Sequence, residues 1–155
     1  MAFYLYTVNM ELCMTPDLLF SIANPLALAG WLVLAAGIMT KRPVLRDVVA
    51  GRLFPFGFSA FYTLLIVVFW WSADGGFDSL ANVQKLFTSP WAALAGWVHY
   101  LCFDLAIGAH IARQIMERGL TRLVLIPILP LIFLFGPTGY LLGQALLMTR
   151  KGTQP

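Results

Sequence analysis

The chain has 155 residues, of which 60% are apolar and 11% charged, with a formal net charge of +3. Soluble domains carry roughly 25% charged residues, so this chain lacks the polar surface that water demands, and its mean hydropathy of +0.81 points to a bilayer. The few cations form no run dense enough for nucleic acid, and the length suits one transmembrane domain, residues 1–155, with about four spans of ~20 residues.

No Lys or Arg occurs before Lys41, and no small-residue cleavage site is visible. The first span is therefore expected to be a retained membrane helix rather than a secretory signal. Met1 to Thr15 reads as an interfacial lead-in with Tyr4 and Tyr6 near the headgroups. Pro16-Asp17 opens a first span over 18–40, since proline suits a first helical turn and aspartate its electropositive end. Gly30 and Gly37 allow close helix approach.

Lys41, Arg42, Arg46, Asp47 and Arg52 form a basic connection before a second span over 53–71. Its body is aromatic (Phe58, Phe61, Tyr62, Phe69), and Trp70 and Trp71 mark its exit as an interfacial belt. Asp74-Gly75-Gly76 reads as a turn. Asp78 or Ser79 can cap a short interfacial helix carrying Leu80, Val83 and Phe87 on one face. Pro90 begins a third span over 90–112. The fourth, 123–148, is interrupted by Pro127, Pro130 and the run Gly136-Pro137-Thr138-Gly139, breaks tolerated only where protein or a cavity satisfies the freed backbone groups. The expected fold class is all-α: an integral membrane four-helix bundle with a short interfacial helix between spans two and three. Seven cations in the two basic loops against Lys85, Arg150 and Lys151 elsewhere place those loops in the cytoplasm and both termini outside.

The third span holds both histidines of the chain, His99 and His110, and the one carboxylate expected deep in the bilayer, Asp104. Such a residue costs a few kcal/mol and ordinarily faces a bundle interior with a partner or a role. Two readings stand: a carboxyl that only pins helices together, or a group that does chemistry. His99 and His110 share a face but lie about 16 Å apart along the axis, so they cannot hold one metal ion together. Asp104 projects about 140° from His99, so it needs a donor from elsewhere, such as Asn24, Tyr62, Thr138, Tyr140 or water. A carboxylic acid kept out of water retains its proton and can donate it. That makes Asp104 a candidate general acid or base and His99 a second proton-transfer group. His110 falls near the cytoplasmic end, where a wet side chain is the ordinary reading. Cys102 reads as a small apolar filler, and no zinc spacing or soluble-enzyme signature is present.

The stretch Leu86-Phe87-Thr88-Ser89-Pro90-Trp91 through Gly96-Trp97-Val98-His99-Tyr100-Leu101-Cys102-Phe103-Asp104-Leu105 resembles the abscisic-acid-deficient-four family. Leu134-Phe135-Gly136-Pro137-Thr138-Gly139-Tyr140 resembles its second signature, and Ser21-Ile22-Ala23-Asn24-Pro25 extends the similarity over most of the chain. Ala109, His110 and Gln114 depart from the family pattern. The resemblance implies a four-span membrane protein whose plant relatives are linked to forming neoxanthin from violaxanthin, and hence a carotenoid or other hydrophobic isoprenoid as partner within the lipid bilayer. Opening an epoxide to an allene needs an acid at oxygen and a base at carbon, roles that Asp104 and His99 can fill. The expected ligand-binding residues are Asn24, Phe61, Tyr62, Trp97, Phe103, Gly108, Phe135, Pro137 and Tyr140, with the pocket between spans three and four and the aromatics of span two along the polyene. The alternative is a non-enzymatic subunit that binds a carotenoid, retinal or quinone, or that joins a second copy or a pigment complex.

Overall fold

The computed structural model describes residues 14–149. The lead-in before Met14 and the tail from Arg150 lie outside the described residues. Four helical stretches, Pro16–Met39, Val44–Ser72, Pro90–Glu117 and Arg122–Thr149, are long and apolar enough to cross a membrane. No strand occurs among the described residues.

Helix α1 (Pro16–Met39) starts as its sequence dictates: the Thr15 hydroxyl accepts from the Leu18 N–H at 3.2 Å, Pro16 takes the first turn, and Asp17 sits at the electropositive end. Its last turn has no basic residue of its own. Arg122 supplies the missing donor, reaching the Ile38 and Met39 carbonyls at 3.2 and 2.6 Å. Lys41, with φ of 55°, turns the chain.

The second stretch begins at Val44 rather than near Leu53. A π-helical segment (Val44–Leu53) runs directly into α2 (Phe54–Phe69) and a closing 3-10 turn, Trp70–Ser72. Charge cancellation allows this. Arg46 is buried, and its guanidinium binds both carboxylate oxygens of Asp47 at 2.6 and 2.7 Å. The basic connection is thereby drawn into the helix instead of forming a loop. Gly37 of α1 lies against this segment so closely that a Cβ there would stand 2.6 Å from the Arg46 amide nitrogen.

The short helix α3 (Leu80–Leu86) is capped by Ser79, whose hydroxyl accepts from the Asn82 N–H at 3.2 Å. Helix α4 (Pro90–Glu117) is the centre of the molecule: half of its most apolar window is buried, against 17–28% for the other three stretches. Cys102 fills a gap between α4 and α2, its thiol 3.2 Å from the Pro55 carbonyl.

Helix α5 (Leu125–Thr149) is broken at Phe135, whose φ of −144° and ψ of 61° are not helical. The second half turns back on the first. A Cβ on Gly139 would meet the Ile132 backbone nitrogen, and the Ile132 Cα at 2.8 Å. In an unbroken helix residues seven apart are separated by about 10 Å along the axis. The contacts with α4 agree: Gly136 lies against Asp104, Gly143 against Ile111, and the Leu147 carbonyl accepts from Arg118. These pairs ascend together, so the second half runs parallel to α4 and ends beside its C-terminal end. The core has the same division. One cluster joins Leu34, Ile38, Ile111 and Ile115 to Leu125, Ile132 and Leu147 from both halves of α5. The other, around Ala23, Phe58, Leu65, Leu94 and Val98, draws on α1, α2 and α4 without α5. The expectation that the fourth stretch returns the chain to the end where α1 starts is therefore corrected: Thr149 and Pro16 lie at opposite ends of the bundle.

Candidate site at the broken helix

The break in α5 has a local cause. Phe135 leaves the helical region, and Pro137 has no N–H to give to the carbonyl four residues before it. One carbonyl at the break is answered from α4: the Tyr100 hydroxyl donates to the Leu134 carbonyl at 3.0 Å. One turn further along the same face stands Asp104, 6% exposed. Its Oδ1 occupies the place where a side chain at Gly136 would begin. Its Oδ2 is buried with no hydrogen-bond partner among the described residues. A glycine at 136 is thus what lets the carboxyl reach the broken backbone.

An aromatic run leads to this point. Phe20 and Trp97 have ring centroids 5.7 Å apart, and Trp97 stacks on Tyr100 at 5.8 Å with planes 11° apart. The Trp97 indole N–H donates to Asn24 Oδ1 at 2.8 Å, tying α1 to α4. Behind Asp104, Gly108 receives the Trp31 ring, and Trp31 meets Phe133 edge-on at 5.5 Å.

A family model described as ABA DEFICIENT 4-like matches residues 18–142. The chain belongs to this family. No curated protein and no solved structure matches it. The ABA DEFICIENT 4-like region includes all the candidate catalytic and ligand-binding residues, yet the fold brings only some of them together. Asn24 and Trp97 bond to each other and are linked to the break through Tyr100, which stacks on Trp97, while Phe135, Pro137 and Tyr140 are exposed in α5 at or just after the break. His99 lies elsewhere. It is exposed, with its ring 5.5 Å from Tyr62 and 4.7 Å from Phe103, and does not meet Asp104. None of the donors expected for Asp104 (Asn24, Tyr62, Thr138, Tyr140) bonds to it.

Two large grooves of this ABA DEFICIENT 4-like protein lie elsewhere than between α4 and α5. One of about 650 Å³ runs between α1 and α2, lined by Leu19, Ile22, Phe54, Phe58 and Phe61. Another of about 720 Å³ lies between the end of α1 and the first half of α5. Helices α4 and α5 approach closely at Gly136, against Asp104, and at Gly143, against Ile111. Tyr100 is the residue that sequence reasoning missed. Its spacing of four from Asp104 was the available signal.

Proposed function

We propose that this protein is a membrane enzyme that moves protons on a carotenoid or related polyene isoprenoid, with Asp104 as the acid–base group. The observation that carries the reading is the buried Asp104 carboxyl, one oxygen unpartnered, set against the broken backbone of α5. Irregular backbone and an intramembrane acid in one place are how membrane proteins build sites for chemistry. Membership of the ABA DEFICIENT 4-like family supports the isoprenoid class.

Epoxide opening to an allene fits such a group. The C–O bond breaks as oxygen takes a proton, the neighbouring carbon gives one up, and its C–H electron pair becomes the new double bond. The change is an isomerisation with no net redox, and a carboxyl can donate one proton and accept the other. Tyr100 stands beside Asp104 as a hydroxyl able to relay. His99, across α4, lies outside this set and faces the Tyr62 side. The flat faces of Phe20, Trp97 and Tyr100 suit a conjugated chain. The basic end of the bundle faces the cytoplasm on this reading, so α1 starts outside and Thr149 ends inside.

A second reading has its own support: the apolar groove between α1 and α2 suits a pigment that is held unchanged, while Asp104 pins the fold of α5. Co-expression in cells that make β-carotene and its epoxidised derivatives, with chromatography of the pigments, separates the two. A new isomer with the wild type, lost in Asp104→Asn while the protein still accumulates, supports the enzyme. Unaltered pigments, with one co-purifying equally with both proteins, refutes it in favour of the holder.

A further inference from the structure

The site at Asp104 leaves a second polar place unexplained, at the other end of α4. A cleft of about 190 Å³ lies between the π-helical segment and the last turns of α4. Its floor is made by small residues, Gly51, Ala106 and Ala109, and its walls by Arg52 and Arg113. The Gly51–Ala109 approach is close, with a Cβ on Gly51 standing 3.1 Å from that of Ala109. The cleft is thus a property of the helix packing rather than of flexible side chains alone.

The charges around it are unevenly satisfied. Asp47 also lines the cleft, but both its oxygens are taken by Arg46, so that pair contributes little net charge. The remaining Arg46 nitrogen points to the Met116 sulfur. Arg113 holds Glu117 only loosely, at 4.0 Å, and one of its terminal nitrogens donates to His110 Nδ1 at 3.2 Å. The Gln114 amide lies against the other ring nitrogen, Nε2, at 2.9 Å, so both ring nitrogens have a neighbour on α4. His110 is therefore occupied in holding Arg113. Arg52 makes no hydrogen bond or ion pair among the described residues. Two guanidinium forks, one without a bonded partner and one braced, line a cleft floored by small residues, whose one carboxylate is already held by Arg46.

We propose that this cleft binds a phosphate group, held between the forks of Arg52 and Arg113. Guanidinium forks match phosphate oxygens in pairs. Arg113 follows Asp104 by nine residues, about 14 Å along the helix, which is close to half the ~30 Å hydrocarbon thickness. With Asp104 near the bilayer centre, the cleft sits at headgroup level. Arg118 and Arg122, in the connection from α4 to α5, stand at the same end and add to the positive field there. The phosphate can come from a phospholipid headgroup or from a soluble phosphate or diphosphate. The site stands independently of the chemistry at Asp104.

The test uses the full-length protein, purified in a neutral detergent and delipidated. Thermal unfolding is followed against phosphatidylglycerol, phosphatidylcholine, inorganic phosphate, diphosphate, and sodium chloride at matched ionic strength. At least one phosphate-bearing probe is expected to raise the melting temperature saturably where chloride does not. Response to lipid alone assigns a headgroup, and response to the soluble anions assigns a free phosphate. Arg52→Gln and Arg113→Gln are each expected to weaken that response about tenfold, Arg52→Lys to restore it only in part, and Arg42→Gln, outside the cleft, to leave it unchanged. Because Arg52 has no internal partner, its variants retain the unliganded melting temperature. No phosphate-specific shift, or equal shifts in wild type and Arg52→Gln, overturns the proposal.

Discussion

Replacing Gly139 by alanine distinguishes a helix that folds back from one that merely bends. In a straight or gently kinked helix the added methyl group meets nothing, and alanine gains about 1 kcal/mol over glycine from its helix propensity. In the fold described here the new Cβ collides with the backbone nitrogen and Cα of Ile132, both fixed within the first half of α5. Overpacking against groups that cannot rotate away costs about 1–3 kcal/mol. After the propensity gain the variant is expected to lose up to about 2 kcal/mol, equivalent to at most roughly 6 °C in melting temperature for a chain of this size. Gly57→Ala is the internal control, since nothing stands within 4 Å of its added Cβ. It is expected to hold or raise the melting temperature. Both are read by thermal unfolding in detergent. A Gly139→Ala protein more stable than wild type, as a helix without the collision would be, refutes the fold-back.

Two further outcomes follow from the same geometry. Cysteines placed at Asp17 and Thr149, in a chain with Cys13 and Cys102 changed to serine, are expected to react with a membrane-impermeant maleimide from opposite sides of the membrane, and labelling from one side rejects the reversal at Phe135. Gly136→Ala is expected to destabilise by about 1–3 kcal/mol because it displaces the Asp104 carboxyl. Adding Asp104→Ala recovers at least about 1 kcal/mol of that loss in a double-mutant cycle on thermal stability, and strictly additive effects reject the contact.

Much of the fold was legible because local signals and hydropathy agree. Pro16 and Pro90 at helix starts, Ser79 as a cap and Cys102 as filler are decided by chemistry within a turn or by simple apolarity. The start of the second stretch was not legible in the same way. Hydropathy counts Arg46 and Asp47 as two charges, whereas in the fold they neutralise each other and bury under Gly37. The run from Phe135 to Gly139 announced a break. Whether a break becomes a bend or a reversal depends on what the second half packs against, and sequence periodicity carries no such information. At the site, the 140° between His99 and Asp104 already argued against a direct pair, and the structure separates them accordingly. Tyr100 was passed over because an aromatic residue in an apolar span reads as wall until a neighbouring carbonyl loses its partner.

The reversal at Phe135 also bears on how the chain enters a membrane. A straight fourth helix would require its far end, followed in sequence by Arg150 and Lys151, to be carried through the hydrocarbon after three earlier crossings. A hairpin that goes in and comes out by one face carries no end across. It can be inserted last, as a plug pushed sideways against an already assembled three-helix wall, with Gly136 and Gly143 as the smooth track along α4. Assembly of the last stretch then depends less on translocation than on α1, α2 and α4 having packed first.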